Sequence, residues 1–88
     1  MKKSYVKTKI GNELLYLVSL FPVKWSNFIS SAKIFETEDN ARECLNSRFS
    51  KISESLNHNT QCINNIMIDT YEDANLIQSC YYIGGISL

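Results

Sequence analysis

Residues 37–56, TEDNARECLNSRFSKISESL, carry the pattern that decides the fold. Apolar side chains recur there at spacings of four, four, three and four, which places them in one stripe along a helix. The members of this stripe are Ala41, Leu45, Phe49, Ile52 and Leu56. Thr37 is a good N-cap, and Glu38 and Asp39 follow it where the helix dipole favours negative charge. The stretch predicts one amphipathic helix that buries a single face against another element.

Two β-prone runs precede this helix. Residues 5–10 (YVKTKI) and residues 13–21 (ELLYLVSLF) are joined by Gly11 and Asn12. A two-residue loop that starts with glycine is typical of a hairpin, because glycine supplies the positive φ of a primed turn. Pro22 cannot donate a hydrogen bond to a sheet, so the second strand should end there.

The two-residue loop also predicts which side chains of the hairpin share a face. Val6, Thr8 and Ile10 alternate with lysines and tyrosine, so one face is suited to the core. The other face combines Lys7 and Lys9 with tyrosine rings, and we expect it to be at least partly exposed.

The remaining segments complete an α+β order. Residues 23–31 are predicted to be a connection that contains Trp25, and residues 32–35 (AKIF) a short third strand. After the helix, residues 62–71 and 76–83 are predicted strands, joined by a polar turn at 72–75. The prediction is a single domain over residues 1–88. It is an antiparallel sheet of four to five strands, in the order β-β-(β)-α-β-β, with one amphipathic helix packed on one face.

Chain length and hydropathy indicate whether the protein is expected in a membrane or in solution. With 88 residues, of which 44% are hydrophobic and 20% charged, it has the composition of one folded domain. The longest apolar run, residues 14–23, is about half the ~20 residues that span a bilayer. Lysines precede it, but Glu13 adjoins it and no small-residue cleavage pattern follows. We therefore expect a soluble, cytoplasmic protein with no membrane partner.

The residues that most often carry catalysis or metal binding are not grouped in the sequence. Cys44, Cys62 and Cys80 lie eighteen residues apart with no close pair, and His58 is the single histidine. Carboxylates cluster where a turn and a helix N-terminus favour them for structural reasons. No phosphate-binding loop, nucleophile motif or zinc motif is present. The sequence predicts a protein that is not an enzyme and needs no cofactor or metal.

Charge is unevenly distributed along the chain. Basic and acidic residues balance at nine each, yet the chain through Lys33 carries six lysines and one acid, and the remainder carries three basic and eight acidic residues. This +5/−5 division is typical of a molecule that orients on a charged partner, unless the fold mixes the two halves. The acidic half and two aromatic rings supply the candidate protein-binding residues: Glu36, Glu38, Asp39, Glu43, Trp25 and Tyr82. Since consecutive strand residues face opposite sides, Tyr81 and Tyr82 cannot both lie in one core.

The basic half supports an alternative hypothesis. Lysines interleaved with aromatic rings are typical of surfaces that bind RNA or single strands, where rings stack on bases and lysines contact phosphates. The candidate nucleic-acid-binding residues are Tyr5, Lys7, Lys9, Tyr16 and Lys24. Neither arginine belongs to this set, and no RNP-like motif is present.

Residues 32–45, AKIFETEDNARECL, resemble the strand–cap–helix segment of small phage-encoded accessory proteins. The resemblance covers about a sixth of the chain and carries over no functional residues. It implies a non-enzymatic protein that binds and inhibits a host protein, such as a defence factor or toxin, by blocking its surface in the host cytoplasm. A host protein is thus the first expected partner, a small RNA- or DNA-binding module is the alternative, and a structural homo-oligomer joined through sheet edges is the third hypothesis.

Overall fold

Five antiparallel strands form one sheet, with β1 at its centre and the helices packed against one face. The structure, a computed structural model, describes residues 1–82. The strands are β1 (Lys2–Ile10), β2 (Glu13–Leu20), β3 (Val23–Ser26), β4 (Met67–Glu72) and β5 (Asn75–Tyr81), in the sheet order β3-β2-β1-β4-β5. The helices are α1 (Glu38–Ser47), α2 (Phe49–Ser55) and α3 (Thr60–Asn64), and a short 3₁₀ turn covers Ile29–Ser31. The predicted α+β class is confirmed.

The first hairpin has the register expected from its two-residue loop. Ile10 pairs with Glu13 and Thr8 with Leu15. Gly11 takes a φ of 59°, the conformation for which a primed turn needs glycine. On the face toward the helices, Val6, Thr8 and Leu17 are buried, as the alternation predicts, although Ile10 at the end of β1 is exposed.

Residues 23–26 form a strand, so the predicted connection over residues 23–31 is wrong in this part. The chain turns at Pro22 and pairs back on β2, with Leu17 opposite Trp25. Trp25 faces α2, where its indole N–H donates a 2.9 Å hydrogen bond to Ser55 Oγ. The ring packs against the core, and its burial stabilises a strand that is too short to show a periodic pattern.

Residues 32–35 do not form the predicted third strand. Phe35 makes an isolated antiparallel bridge to Ser4, with two backbone hydrogen bonds of 2.8 and 2.9 Å. The Lys33 N–H donates to the carbonyl of Leu17 in β2 at 2.8 Å. The segment therefore bonds to both β1 and β2, each through one residue, and Phe35 enters the core instead of continuing a ladder.

The single predicted helix is divided into α1 and α2 at Arg48. Its φ of −121° and ψ of 19° leave the helical region. At the break, Arg48 Nε donates to the carbonyl of Leu20 at 3.2 Å, and the guanidinium lies 4.1 Å from the centre of the Phe21 ring. The apolar stripe survives the break, since all five of its members are buried or half-buried against the core.

The fourth strand begins later than predicted. Residues 60–64 form α3, which the Asn59 side chain caps by accepting from the Cys62 N–H at 3.2 Å. Cys62 is buried in the core, and its carbonyl accepts a hydrogen bond from Thr8. The predicted turn at 72–75 is confirmed, with Glu72 paired to Asn75 across it. Residue 83, the predicted end of the last strand, lies outside the described residues.

The N-cap of α1 allows a direct test of local helix stability. Thr37 Oγ1 accepts a 3.1 Å hydrogen bond from the Asn40 N–H, as the sequence predicts. Thr37→Ala removes this acceptor, and we expect it to lower the free energy of unfolding by about 1 kcal/mol in a denaturant titration. Ser50→Ala, an exposed change inside α2, is the control and should stay within about 0.5 kcal/mol. An equal loss in both variants would contradict the capping role of Thr37.

No helix within residues 1–82 has the length and apolar character that a membrane crossing requires.

Candidate nucleic-acid interface

The sheet face opposite α1, α2 and α3, here called the open face, collects four tyrosines. Because side chains alternate along a strand, the residues next to buried Val6 and Ile68 point to this side. The tyrosines of the open face are Tyr5, Tyr16, Tyr71 and Tyr81. Tyr81 is 58% exposed, and the other three are half-buried.

Strand register arranges the open face in rows. One row crosses four strands, with Tyr16 opposite Lys7, Lys7 opposite Met67, and Met67 opposite Tyr81. Since directly opposite side chains lie within contact distance, this row places a lysine between two aromatic positions. The next rows place Tyr5 beside Asp69 and Lys3 beside Tyr71.

A largely buried ion pair lies at the centre of the open face. Lys7 Nζ lies 2.7 Å from Asp69 Oδ2, and the side chain of Asp69 is only 4% exposed. The Ser79 hydroxyl donates to the other oxygen of the same carboxylate. Lys7 keeps 20% of its side chain exposed, so its ammonium is held in place yet still reaches solvent. The pair fixes the position of Lys7 between the tyrosine rings.

Two of the tyrosines and a lysine line a cavity on this face. The rings of Tyr5 and Tyr71 meet edge to face, with centroids 5.6 Å apart and an angle of 78° between planes. The cavity that they border with Lys3 has a volume of about 320 Å³, and Met1, Asp73 and Ala74 complete its lining. Burial raises the pKa of Tyr71, and the nearby carboxylate of Asp69 raises that pKa further.

The charge asymmetry of the sequence persists in three dimensions. The open side of the sheet carries four lysines and two carboxylates, and the terminal ammonium that pairs with Asp73 makes the excess three positive charges. The side chains are those of Lys3, Lys7, Lys9, Lys24, Asp69 and Asp73. The rest of the chain has five basic and seven acidic side chains, an excess of two negative charges. The fold thus concentrates basic charge on the face that also presents the tyrosine rings.

The structure brings the five predicted nucleic-acid-binding residues to one side of the sheet. Tyr5, Lys7 and Tyr16 lie on the open face of β1 and β2, and Lys9 is exposed beside them. Lys24 lies on β3, on the opposite side of that strand from Trp25. The sequence interpretation missed Lys3 and the residues of β4 and β5, which join the face through strand pairing. These missed residues are Lys3, Asp69, Tyr71 and Tyr81.

Of the two aromatic residues proposed for protein binding, one is buried and the other is half-buried. Tyr82 is 3% exposed, and its hydroxyl donates to Asn46 Oδ1 at 2.6 Å. Trp25 packs against the core beside α2. Of the two neighbouring tyrosines at the end of β5, Tyr81 faces outward and Tyr82 faces the core. This agrees with the alternation, although the predicted interface set contained the buried one.

The acidic residues of the protein-binding set divide between two places. Glu36, Glu38 and Asp39 border a cavity of about 290 Å³ at the start of α1, whereas Glu43 does not line it. Glu38 is engaged within the chain, because Arg42 Nε donates to it at 2.7 Å and Cys80 Sγ at 3.3 Å. These two hydrogen bonds, with that of Arg42 the larger, lower the pKa of Glu38.

The residues considered for catalysis or metal binding stay apart. Within residues 1–82, no three histidine, cysteine or acidic side chains come close enough to hold a metal ion together. All three cysteines are free, Cys62 buried and the other two half-buried. His58 is exposed after α2, where its Nδ1 lies 3.0 Å from Ser53 Oγ. Comparison with protein families, with characterised proteins and with solved structures finds no match for this chain.

Proposed function

We propose that this chain is a non-enzymatic module that binds single-stranded nucleic acid on the open face. The observation that supports the proposal is the row of Tyr16, Lys7, Met67 and Tyr81 across four strands. It combines flat rings with a fixed cation on one exposed sheet surface. Such a surface offers stacking partners to bases and a charge partner to the phosphates between them.

The chemistry of the face favours a single strand over a duplex. Tyrosine rings can stack only on bases that have left a helix, and each stacked base contributes about 1–3 kcal/mol. Reading a DNA major groove needs a protruding helix or ribbon, whereas the open face is a broad sheet surface. The cavity between Lys3, Tyr5 and Tyr71 offers one position where a base and its phosphate can be held together.

The structure gives the protein-binding hypothesis less support. Two of its six residues, Trp25 and Tyr82, pack into or against the core, and Glu38 is hydrogen-bonded within the chain. Inhibition of a host protein by surface blockage would then depend on Glu36, Asp39 and Glu43 without an aromatic anchor, although buried aromatic anchors carry most binding energy in protein interfaces.

A salt titration tests the proposal. The purified chain is titrated into fluorescently labelled RNA and DNA single strands of about 12 nucleotides, a length matched to one sheet surface, and anisotropy is recorded. With about three phosphates neutralised, affinity should fall about 20-fold between about 50 and 200 mM salt. The matched duplexes should bind more weakly. Absence of binding at the lower salt concentration, or an affinity independent of salt, would overturn the proposal.

A further inference from the structure

The two edges of the sheet differ in how well they are protected against pairing with another chain. β3 forms one edge with only four residues, carries Lys24, and follows a register shift between Leu17 and Ser19. β5 forms the other edge with seven residues, NLIQSCY, which include no charge and no proline. Shortness, charge and bulges are the devices by which natural edge strands avoid pairing. β3 has the first two, with the extra residue of its register shift on β2. β5 is longer and uncharged, and its one protective device is a bulge at Ile77.

The exposed side chains of β5 also favour a partner. Leu76 is 53% exposed, Ile77 49% and Tyr81 58%. The Tyr82 N–H donates to the carbonyl of Ile66, the residue before β4, at 2.8 Å. Backbone groups alternate in direction along a strand, so the N–H and carbonyl groups of Ser79 and Tyr81 point away from the sheet. Within residues 1–82 no strand pairs with this outer side of β5.

We propose that β5 pairs with β5 of a second copy of this chain. The two strands run antiparallel about a two-fold axis that passes beside Ser79, perpendicular to the sheet. In this register, Ser79 lies opposite Ser79 of the second copy, and the bulge at Ile77 lies opposite Tyr81 of the second copy. An uncharged strand can face its own reverse without placing like charges opposite each other, which is what an isologous interface requires.

Charge complementarity beside the strand points to a second copy as the occupant. Arg42 Nη2 donates to the carbonyl of Tyr81 at 3.3 Å while its Nε pairs with Glu38, so a guanidinium lies at that end of β5 on the helix side. Ile77, near the other end, lines a cavity that has three carboxylates, of Glu36, Glu38 and Asp39, against the one ammonium of Lys2. Pairing Ile77 with Tyr81 of the second copy brings the guanidinium of one chain to the acidic cavity of the other. The two-fold axis makes this contact occur twice.

The dimer extends the surface proposed above, although it does not depend on that function. An axis perpendicular to the sheet keeps both open faces on one side, so two five-stranded sheets become one of ten strands. The helices of both copies then lie together on the other side. A strand of nucleic acid long enough to cross both open faces would bind more tightly than a short one, because its contact with the second face is intramolecular.

Sedimentation of the purified chain from low micromolar to millimolar concentration tests the dimer. The wild type should shift from monomer to dimer with rising concentration. Ile77→Lys places a charge on the edge, and we expect it to raise the dimer dissociation constant about tenfold or more. Ile29→Lys is the matched control, because Ile29 is 45% exposed in the 3₁₀ turn and is far from β5 in the sequence. Circular dichroism melting checks that both variants fold.

Two results would overturn the dimer. One is a monomer over the whole concentration range. This result is also expected if β5 pairs with a strand of a different protein and not with a second copy. The other is an equal effect of Ile77→Lys and Ile29→Lys on association. The anisotropy titration with a short single strand remains a separate measurement, so a monomer that binds the strand contradicts the dimer and leaves the proposed function intact.

Discussion

Lys3→Glu combined with Lys9→Glu is expected to abolish single-strand binding, with a loss on the order of 100-fold at low salt. The double change converts an excess of three positive charges on the open side into an excess of one negative charge. Both lysines are exposed and neither takes part in an ion pair among residues 1–82. The fold should therefore tolerate the change. Lys7 is left intact because a glutamate there would face Asp69 in a buried position.

Lys33→Glu combined with Lys51→Glu is the matched control. It makes the same change in net charge, but Lys33 lies over the Phe35 ring and Lys51 lies on α2, both away from the open face. Anisotropy titrations of the two double variants, with circular dichroism to verify folding, separate a local surface from a general effect of charge. Equal losses in both would contradict the assignment of binding to the open face.

Asp69→Asn is expected to act in opposite directions on stability and on binding. The neutral side chain keeps its size and can still accept from Ser79, but it leaves the ammonium of Lys7 without its partner in a largely buried position. We expect a loss of about 2 kcal/mol, less than for a fully buried pair because Lys7 retains contact with solvent. For a domain of this size, such a loss lowers the melting temperature by about 10 °C. Affinity for a single strand should meanwhile rise about tenfold, because the open side gains a positive charge.

Glu54→Gln provides the comparison for this prediction. It removes the same charge from α2, away from the open face, where the carboxylate is 62% exposed and lies 3.7 Å from Lys51 Nζ. Its effect on stability should stay within about 0.5 kcal/mol. Thermal melts and anisotropy titrations on both variants supply the two readouts. If Asp69→Asn weakens binding along with stability, Asp69 contributes to the ligand contact and the electrostatic interpretation of the open face fails.

Local patterns in the sequence were sufficient for the elements whose causes are local. The helical stripe from Ala41 to Leu56 and the turn at Gly11 follow from spacing and from backbone freedom, and both are present. The helix break at Arg48 coincides with a contact of its side chain to the carbonyl of Leu20, which no window over residues 37–56 contains. The short strand at β3 likewise depends on burial of Trp25, which a four-residue run does not reveal.

The candidate site likewise combines residues that a local pattern predicts with residues that only the pairing of distant strands brings together. Alternation along β1 was enough to group Tyr5, Lys7 and Lys9, because neighbours on one strand share a face by rule. Adding Asp69 and Tyr71 requires the register between β1 and β4, which lie far apart in the chain. The protein-binding set predicted from the sequence contains Tyr82 and not Tyr81, because alternation shows that the two differ without showing which one is buried.

The central place of β1 has a consequence for biosynthesis. Lys7 pairs with Tyr16 on one side and with Met67 on the other, so one partner leaves the ribosome soon after β1 and the other only after all three helices. Until then, one flank of β1 has free backbone groups, which makes the nascent chain open to misassembly and to capture by chaperones. Completion of the sheet therefore waits for a contact between distant parts of the chain, the kind of step that slows folding.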